Sequence, residues 1–212
     1  MSPAPIKPTP AQLRALVRRD PKLGRAIKRL DPYPGFPQQG KYQSHFHALA
    51  HAIVYQQLAG RAAETIHGRV LRLTPGSRFP NAEQLQELSE RELRGAGLSN
   101  NKFLALRDLS DHVLDGRLRL RALANRSDEE VIEALVEVRG IGVWSAQMFL
   151  MFRLGRQDVL PIGDLGVQEG LRRLDGLAER PKPKELEARG AAWAPLRSLA
   201  AWTLWRLADE KA

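Results

Sequence analysis

The chain has 212 residues, of which 43% are hydrophobic, a fraction that suffices for one globular domain or two small lobes. Its 33 Lys and Arg residues against 24 Asp and Glu residues give a net charge of +9, which is typical of proteins with a polyanionic partner, although many solvated surfaces are also basic. The sequence has no cysteine, which excludes disulfides, thiolate nucleophiles and iron–sulfur clusters, and it has no apolar run near the ~18 residues of a membrane span.

Apolar residues recur at helical spacing along almost the whole chain, and few stretches alternate with the period of two that is typical of strands. Prolines and glycines interrupt this spacing at Asp31-Pro-Tyr-Pro-Gly-Phe-Pro, Pro75-Gly76 and Pro181-Lys-Pro. The predicted helices span about 13–19, 21–30, 46–58, 62–73, 81–88, 90–96, 103–113, 127–138, 143–152, 165–174, 184–193 and 196–207. The pattern therefore predicts an all-α fold.

A Gly-Ile-Gly turn separates two of these helices. The first helix opens with Ser127 and Glu130 in the spacing of a capping box and ends at Gly140. Ile141 can anchor the turn in the core, and the second helix begins directly after Gly142. Such a hairpin presents backbone N–H groups at a helix N-terminus, where a phosphate is favoured. The alternative is an ordinary helix–helix turn with glycine at the C-cap.

A single carboxylate stands at the start of a later helix. Asp164 lies in Leu-Pro-Ile-Gly-Asp-Leu-Gly-Val, directly before the helix predicted over 165–174. The simplest interpretation is an N-cap aspartate. A helix N-terminus also favours the anionic form of a carboxylate, so the N-cap role and a catalytic role are compatible.

In four stretches the chain resembles the helix-hairpin-helix DNA glycosylases, in the 3-methyladenine DNA glycosylase II (alkylation repair) family. The match covers roughly residues 40 to 208. The stretches are Ile53-Val-Tyr-Gln-Gln-Leu-Ala-Gly-Arg-Ala-Ala, Gly97-Leu-Ser-Asn-Asn-Lys, Arg139-Gly-Ile-Gly-Val-Trp-Ser-Ala and Asp158-Val-Leu-Pro-Ile-Gly-Asp-Leu-Gly. The chain departs from the family at Gly163, where many relatives have an acidic residue. It also has too few residues before the first matching helix for the N-terminal β domain of larger relatives.

The resemblance implies two helical lobes with a DNA-binding and active-site cleft between them. One lobe would span 40–125 and the helix-hairpin-helix lobe 126–212, with the tail and helices of 1–39 packed on the latter. The implied activity is that of a monofunctional glycosylase, which flips an alkylated purine of the 3-methyladenine or 7-methylguanine type out of double-stranded DNA and hydrolyses its N-glycosidic bond. Asp164 would be the catalytic carboxylate that stabilises positive charge on the deoxyribose. This reaction is the first step of base excision repair.

The resemblance also assigns the base pocket. By the resemblance Trp144 and Trp193 would line it, because a cationic alkylated base stacks well on an indole. Met148, one turn after Trp144, could also line the pocket. Trp193 precedes Pro195 closely, so its ring is expected to face the cleft, whereas Trp202 and Trp205 lie on a helix rich in Leu and Ala and are expected in the core. The alternative for each tryptophan is core packing.

Leu58 would be the wedge that fills the gap left by the flipped base, with Gln57 beside it to contact the estranged base. A core leucine at a helix end is the alternative for Leu58. The hairpin residues that would hold the DNA backbone are Arg139, Gly140, Ile141 and Gly142.

No cofactor or catalytic metal is expected. The resemblance allows a monovalent cation on the hairpin carbonyls. His47 and His51 have a spacing that can bind zinc, but no third ligand is evident and ordinary histidines are favoured. We expect a monomeric, cytoplasmic, nucleoid-associated protein without a membrane partner, since the N-terminal region has no secretory hydrophobic segment.

Two other functions remain open at this point. A non-catalytic DNA-binding protein could use the hairpin alone, but it would need neither Asp164 nor the pocket aromatics. A glycosylase for another damaged base is the second, with uracil open. An indole at position 144 argues against the oxidised-purine, lyase-type branch.

Trp144 stands where, by the resemblance, bifunctional relatives have a lysine that attacks the sugar as an amine. We therefore predict that the chain has no abasic-site lyase activity. Borohydride reduction in the presence of abasic DNA should trap no covalent protein–DNA adduct, with a lysine-dependent lyase as the positive control. An adduct formed by the wild-type chain would mean that another amine attacks the sugar.

Overall fold

The computed structural model describes residues 4–37 and 42–210, and within them the fold is all-α, as predicted. Besides its α-helices it has a 3₁₀ turn at Leu120–Asn125, a π-helical stretch at Leu150–Leu154 and a 3₁₀ turn at Ala191–Trp193. The α-helices are α1 (Pro10–Arg19), α2 (Pro21–Arg29), α3 (His45–Tyr55), α4 (Gly60–Leu71), α5 (Ala82–Glu87), α6 (Glu90–Gly95), α7 (Asn100–Leu114), α8 (Asp128–Val136), α9 (Val143–Phe149), α10 (Leu165–Asp175), α11 (Pro183–Gly190) and α12 (Arg197–Asp209).

Strand pairing is confined, in the described ranges, to an isolated antiparallel bridge between Ile6 and Phe36. In the same ranges no helix is both long enough and apolar enough to cross a bilayer.

Side-chain caps fix where several helices begin. At the start of α8 the Ser127 hydroxyl accepts from the Glu130 N–H at 3.1 Å, and the Glu130 carboxylate accepts from the Ser127 N–H at 2.8 Å. This is the capping box predicted from the sequence, and the same reciprocal pair forms at Thr9, Asn81 and Ser89. The caps matter because α5, α6 and α8 are short, and short helices gain little stability from propagation alone.

The chain forms two compact units. One is contiguous, Gly40–Phe149, and the other combines Met1–Gln39 with Leu150–Ala212. The boundary expected at 125/126 differs from the observed one, because α8 and α9 are grouped with the residues that precede them. The physical reason is packing, since α9 contacts α3 and the loop before α9 bonds to α7.

In the contiguous unit, α3 lies among α4, α7 and α9. Its sequence is apolar on nearly every face, which predicts burial, and its leucine, isoleucine and valine side chains are indeed buried. The fully buried side chains of this unit include Leu49, Ile53, Leu85, Leu93, Leu106 and Leu109.

In the discontinuous unit, α10 and α12 form the most extensive helix pair. A Cβ at Gly170 of α10 would overlap the carbonyl oxygen of Leu204 in α12, so the two backbones touch where glycine has no side chain. The N-terminal helix α2 contacts both α10 and α12.

Trp193 belongs to the core of this unit, so its predicted place in the base pocket is wrong. Its ring is 0% exposed, and the indole N–H donates to the Asp20 carboxylate at 2.7 Å. The Arg189 guanidinium lies 5.3 Å from the ring centroid. The helix predicted over 184–193 ends at Gly190, Trp193 lies in the 3₁₀ turn that follows, and proximity to Pro195 could not determine to which side its ring turns.

Asp20 organises this buried cluster. It is 3% exposed and accepts hydrogen bonds from the Leu23 N–H and the Trp193 indole, and it forms an ion pair with Arg189 at 2.6 Å. Burial alone would raise the pKa of Asp20, but the bonds from Trp193, Leu23 and Arg189 outweigh it and lower the pKa below its usual value.

We predict that Asp20→Asn destabilises the protein in a pH-dependent way. A carboxyl whose pKa is lowered by folding adds stability above its unfolded pKa of 3.8, and that stability is lost as the pH falls through the folded value. Removing the charge opposite Arg189 should cost about 1–3 kcal/mol at pH 7. Urea unfolding of wild type and variant between pH 7 and pH 3 should show the difference shrinking toward pH 3.

The exposed Asp31→Asn is the matched control and should change unfolding by less than about 0.5 kcal/mol. If the loss in Asp20→Asn were the same at every pH, the Asp20 charge would not be its cause.

Candidate functional site

The hairpin between α8 and α9 has a buried base and an exposed tip. Val138 and Ile141 are 1% and 4% exposed, as expected for residues that anchor the turn. Gly140 has a φ of +80°, and Gly142 is exposed at the start of α9. The first intrahelical bond of α9 runs from the Ala146 N–H to the Gly142 carbonyl at 3.0 Å, so the N–H groups before Ala146 face the helix end.

One face of α7 supports this hairpin. The Arg139 N–H donates to the Asp108 carboxylate at 2.7 Å. A Cβ at Gly140 would lie 3.2 Å from the Ala105 Cβ, so a larger residue would crowd α7 in addition to requiring an unfavourable positive φ. Gly140 therefore serves both the turn and the contact with α7.

The turn between α3 and α4 carries the predicted wedge residues. Gln57 has a φ of +54° and is exposed, and the Leu58 side chain is 38% exposed, so Leu58 is not a core residue. The Gln56 side-chain amide donates to the Gly140 carbonyl at 2.7 Å, which joins this turn to the hairpin. The monovalent cation suggested for the hairpin carbonyls stays a prediction. The Gly140 carbonyl, one of that group, already accepts the hydrogen bond from Gln56.

The end of α3 is held from a second side. The Lys102 ammonium of α7 donates to the Val54 carbonyl at 2.7 Å, and burial lowers the pKa of Lys102. A cation at the C-terminal carbonyls of a helix is favoured by the helix dipole.

In the discontinuous unit, Asp164 is the N-cap of α10. Its Oδ1 accepts from the Val167 N–H at 2.8 Å and from the Trp205 indole N–H at 3.0 Å. Two N–H donors on one oxygen fix the orientation of the carboxylate.

Trp205 is the residue of this site that the sequence analysis missed, since it was expected in the core. It is half-buried on α12 and packs near Phe152, with ring centroids 5.9 Å apart. A Cβ at Gly166 would lie 3.0 Å from the Trp205 ring and 3.1 Å from Asp164 Oδ1, so glycine makes room for their contact. Gly166 and Gly170, four apart on one face of α10, are the sequence signal that could have located this approach.

The predicted site residues are divided between the units. Asp164 lies in the discontinuous unit, where its indole partner is Trp205. Trp144 and Met148 lie on α9 of the contiguous unit; Trp144 is 50% exposed and Met148 is half-buried. The predicted cleft between lobes stays a prediction.

The histidines of α3 belong to an aromatic cluster. The Gln43 N–H donates to His47 Nδ1 at 3.2 Å, so His47 carries its proton on Nε2 and can donate to His67 Nε2 at 2.9 Å. Burial lowers the pKa of His67. In the part of the chain that the structure describes, no three His, Cys, Asp or Glu side chains cluster as metal ligands do.

The comparison with known proteins agrees with these elements. Residues 50–195 match the model of the HhH-GPD superfamily base excision DNA repair proteins. DNA-3-methyladenine glycosylase 1 of Schizosaccharomyces pombe is 33% identical over 162 residues, which cover 76% of this chain and 71% of that protein.

Two solved structures have the same fold. The crystal structure of the DNA-3-methyladenine glycosidase of Bacillus halodurans superposes with a TM-score of 0.83 at 38% identity, covering 95% of this chain and 90% of that one. Schizosaccharomyces pombe Mag1, solved in complex with abasic DNA, gives a TM-score of 0.81 at 29% identity, covering 92% and 95% of the two chains. With its hairpin and its N-cap aspartate, the chain belongs to the HhH-GPD superfamily of base excision DNA repair proteins, in the DNA-3-methyladenine glycosylase family.

Proposed function

We propose that the chain is a monofunctional DNA glycosylase that hydrolyses the N-glycosidic bond of alkylated purines in double-stranded DNA. The observation that carries this proposal is Asp164, capping α10 with its Oδ1 held by the Val167 N–H and the Trp205 indole. An ordinary N-cap needs only the first of these bonds. The second, from the Trp205 indole, orients the carboxylate.

The reaction builds positive charge on the deoxyribose as the base departs. A fixed carboxylate stabilises that charge, and it can also orient the water that attacks the sugar. Alkylation at N3 or N7 of a purine makes the base a good leaving group, so little acid catalysis is needed at the base. One preorganised aspartate is then sufficient for the main electrostatic contribution.

DNA would be held by the hairpin around the exposed Gly142, because the N-terminus of the helix that starts there, α9, suits a phosphate. The similar Mag1 was solved with abasic DNA, which supports the same partner here. Leu58, exposed at the end of α3, would fill the gap left by the flipped nucleotide.

Trp205 would take the role first predicted for Trp193, because its indole adjoins Asp164 while the ring of Trp193 is buried. A cationic base stacks on an indole more strongly than a neutral base does. Trp144 and Met148 stay our proposed pocket residues on α9.

The direct test is Asp164→Asn. Asparagine is also a good N-cap, and its amide oxygen can still accept from Val167 and Trp205, so fold and DNA affinity should persist. Single-turnover release of 3-methyladenine and 7-methylguanine from alkylated DNA should fall by about 10²-fold or more, as for other major electrostatic groups. Asp31→Asn is the control and should excise at the wild-type rate. Near-wild-type excision by Asp164→Asn would refute the proposal.

A second prediction concerns Trp205→Phe, which keeps an aromatic ring but removes the N–H that reaches Asp164. Loss of one hydrogen bond to a charged group should lower the single-turnover excision rate by about tenfold, with affinity for undamaged duplex unchanged. Trp202→Phe is the matched control on the same helix, where the ring meets the edge of Tyr33 at 5.5 Å.

In the Trp202→Phe control, any effect should be on the unfolding midpoint and not on excision. Equal excision rates in both variants would show that the indole bond to Asp164 does not matter for the reaction.

A further inference from the structure

We propose that Gln56 is a positioning residue that sets the Leu58 wedge against the DNA-holding hairpin, an inference that rests on the glycosylase function proposed above. Gln56 follows α3, and its amide spans to the Gly140 carbonyl at 2.7 Å. Leu58 lies two residues further along the same turn. A single side chain therefore connects the segment that would enter the base stack to the segment that would hold the phosphates.

The end of α3 and the hairpin are also both held by α7, so that each of these three segments is connected to the other two. Lys102, Ala105 and Asp108 occupy successive i, i+3 positions and share one face of α7. Lys102 bonds to the Val54 carbonyl at the end of α3, at 2.7 Å. Ala105 lies against Gly140, and Asp108 accepts the Arg139 N–H at 2.7 Å.

The α7 face therefore holds the end of α3 at one point and the hairpin at two others. Gln56 then links the two held segments directly. With all three connections present, the turn between α3 and α4 cannot shift relative to the hairpin without breaking a hydrogen bond.

The turn needs this support because its own backbone is not in a favoured conformation. Gln57 has a φ of +54°, a region that residues other than glycine seldom adopt unless their surroundings impose it. Leu58 is 38% exposed, so the core does not enclose its side chain. The Gln56 bond, one residue before Gln57, is the contact nearest in sequence that can impose the position of the turn.

The consequence for the reaction is specific. Phosphate contacts at the hairpin supply affinity, whereas the wedge lowers the cost of extruding a stacked and paired nucleotide. Loosening Gln56 should therefore leave duplex affinity intact and slow excision where extrusion is expensive. Where the lesion is already poorly paired, extrusion costs less and the effect should shrink.

The experiment compares Gln56→Met with wild type. Methionine matches the length of glutamine but has no N–H donor. The probe is an oligonucleotide with one 7-methylguanine, placed opposite cytosine in one duplex and opposite thymine in another, and the readouts are the single-turnover excision rate and the affinity for undamaged duplex. Gln86→Met is the matched control, because Gln86 makes the same kind of bond, from its amide to the Arg107 carbonyl, between α5 and α7.

Gln56→Met should excise about tenfold more slowly opposite cytosine, the upper range for one lost hydrogen bond, and within about twofold of wild type opposite thymine. Undamaged-duplex affinity should stay within about twofold of wild type, because that affinity comes from phosphate contacts. Gln86→Met should change none of these values. Gln56→Asn, whose amide is too short to reach Gly140, should reproduce the loss and serves if the methionine variant is unstable.

Equal losses in both duplexes, or none in either, would overturn the positioning role while leaving the glycosylase assignment in place. A parallel loss of duplex affinity would overturn it as well, since the hairpin itself would be affected. If the wild-type chain released no 7-methylguanine from either duplex, the glycosylase assignment would fail and this inference with it.

Discussion

The contact between α10 and α12 leaves no room for a side chain at Gly170, and the arrangement around Asp164 depends on it. Because the backbone of α10 meets the Leu204 carbonyl at this point, the next residue of α12, Trp205, comes within hydrogen-bond distance of Asp164, the N-cap of α10. Gly166 leaves space for the indole. The orientation of the carboxylate and its indole partner therefore depend on two glycines on one face of α10.

In the contiguous unit, hydrogen bonds hold the hairpin and the turn between α3 and α4 in place. The Gln56 side chain joins the hairpin to the turn that carries Leu58, and both segments have exposed residues. Lys102 and Gln56 donate to backbone carbonyls and Asp108 accepts from a backbone N–H, and each of these backbone groups lies in a turn or at a helix end. These bonds add to the anchoring of the hairpin by the buried Val138 and Ile141.

The features that could be predicted from the sequence are those that depend on residues close together in the chain. The capping box at Ser127, the glycine hairpin, the buried Ile141 and the N-cap position of Asp164 each depend on a few neighbouring residues, and the structure has them where they were predicted. The predictions for Trp193 and Trp205 were wrong because the environment of each indole is set by residues distant in sequence. Trp193 is satisfied by Asp20, which lies far from it in sequence, and Trp205 by Asp164 on another helix.

No periodicity distinguishes these two indoles, since α12 is apolar on most of its faces and the turn before it is irregular. The boundary between the two units was also missed because it depends on a tertiary contact. It is set by α9 packing on α3, which a boundary drawn from helix order alone does not contain.

Asp20 has a consequence for the order in which the chain can fold. It caps α2, and its other partners, Trp193 and Arg189, come from the far end of the sequence. The core of the discontinuous unit therefore cannot close until α10 to α12 have left the ribosome. Gly40–Phe149 is contiguous and needs no later residue for its own core. During synthesis the unit with the hairpin and Leu58 can therefore fold first. The helices α1 and α2 can pack only after the later residues that complete the unit around Asp164 have been synthesised.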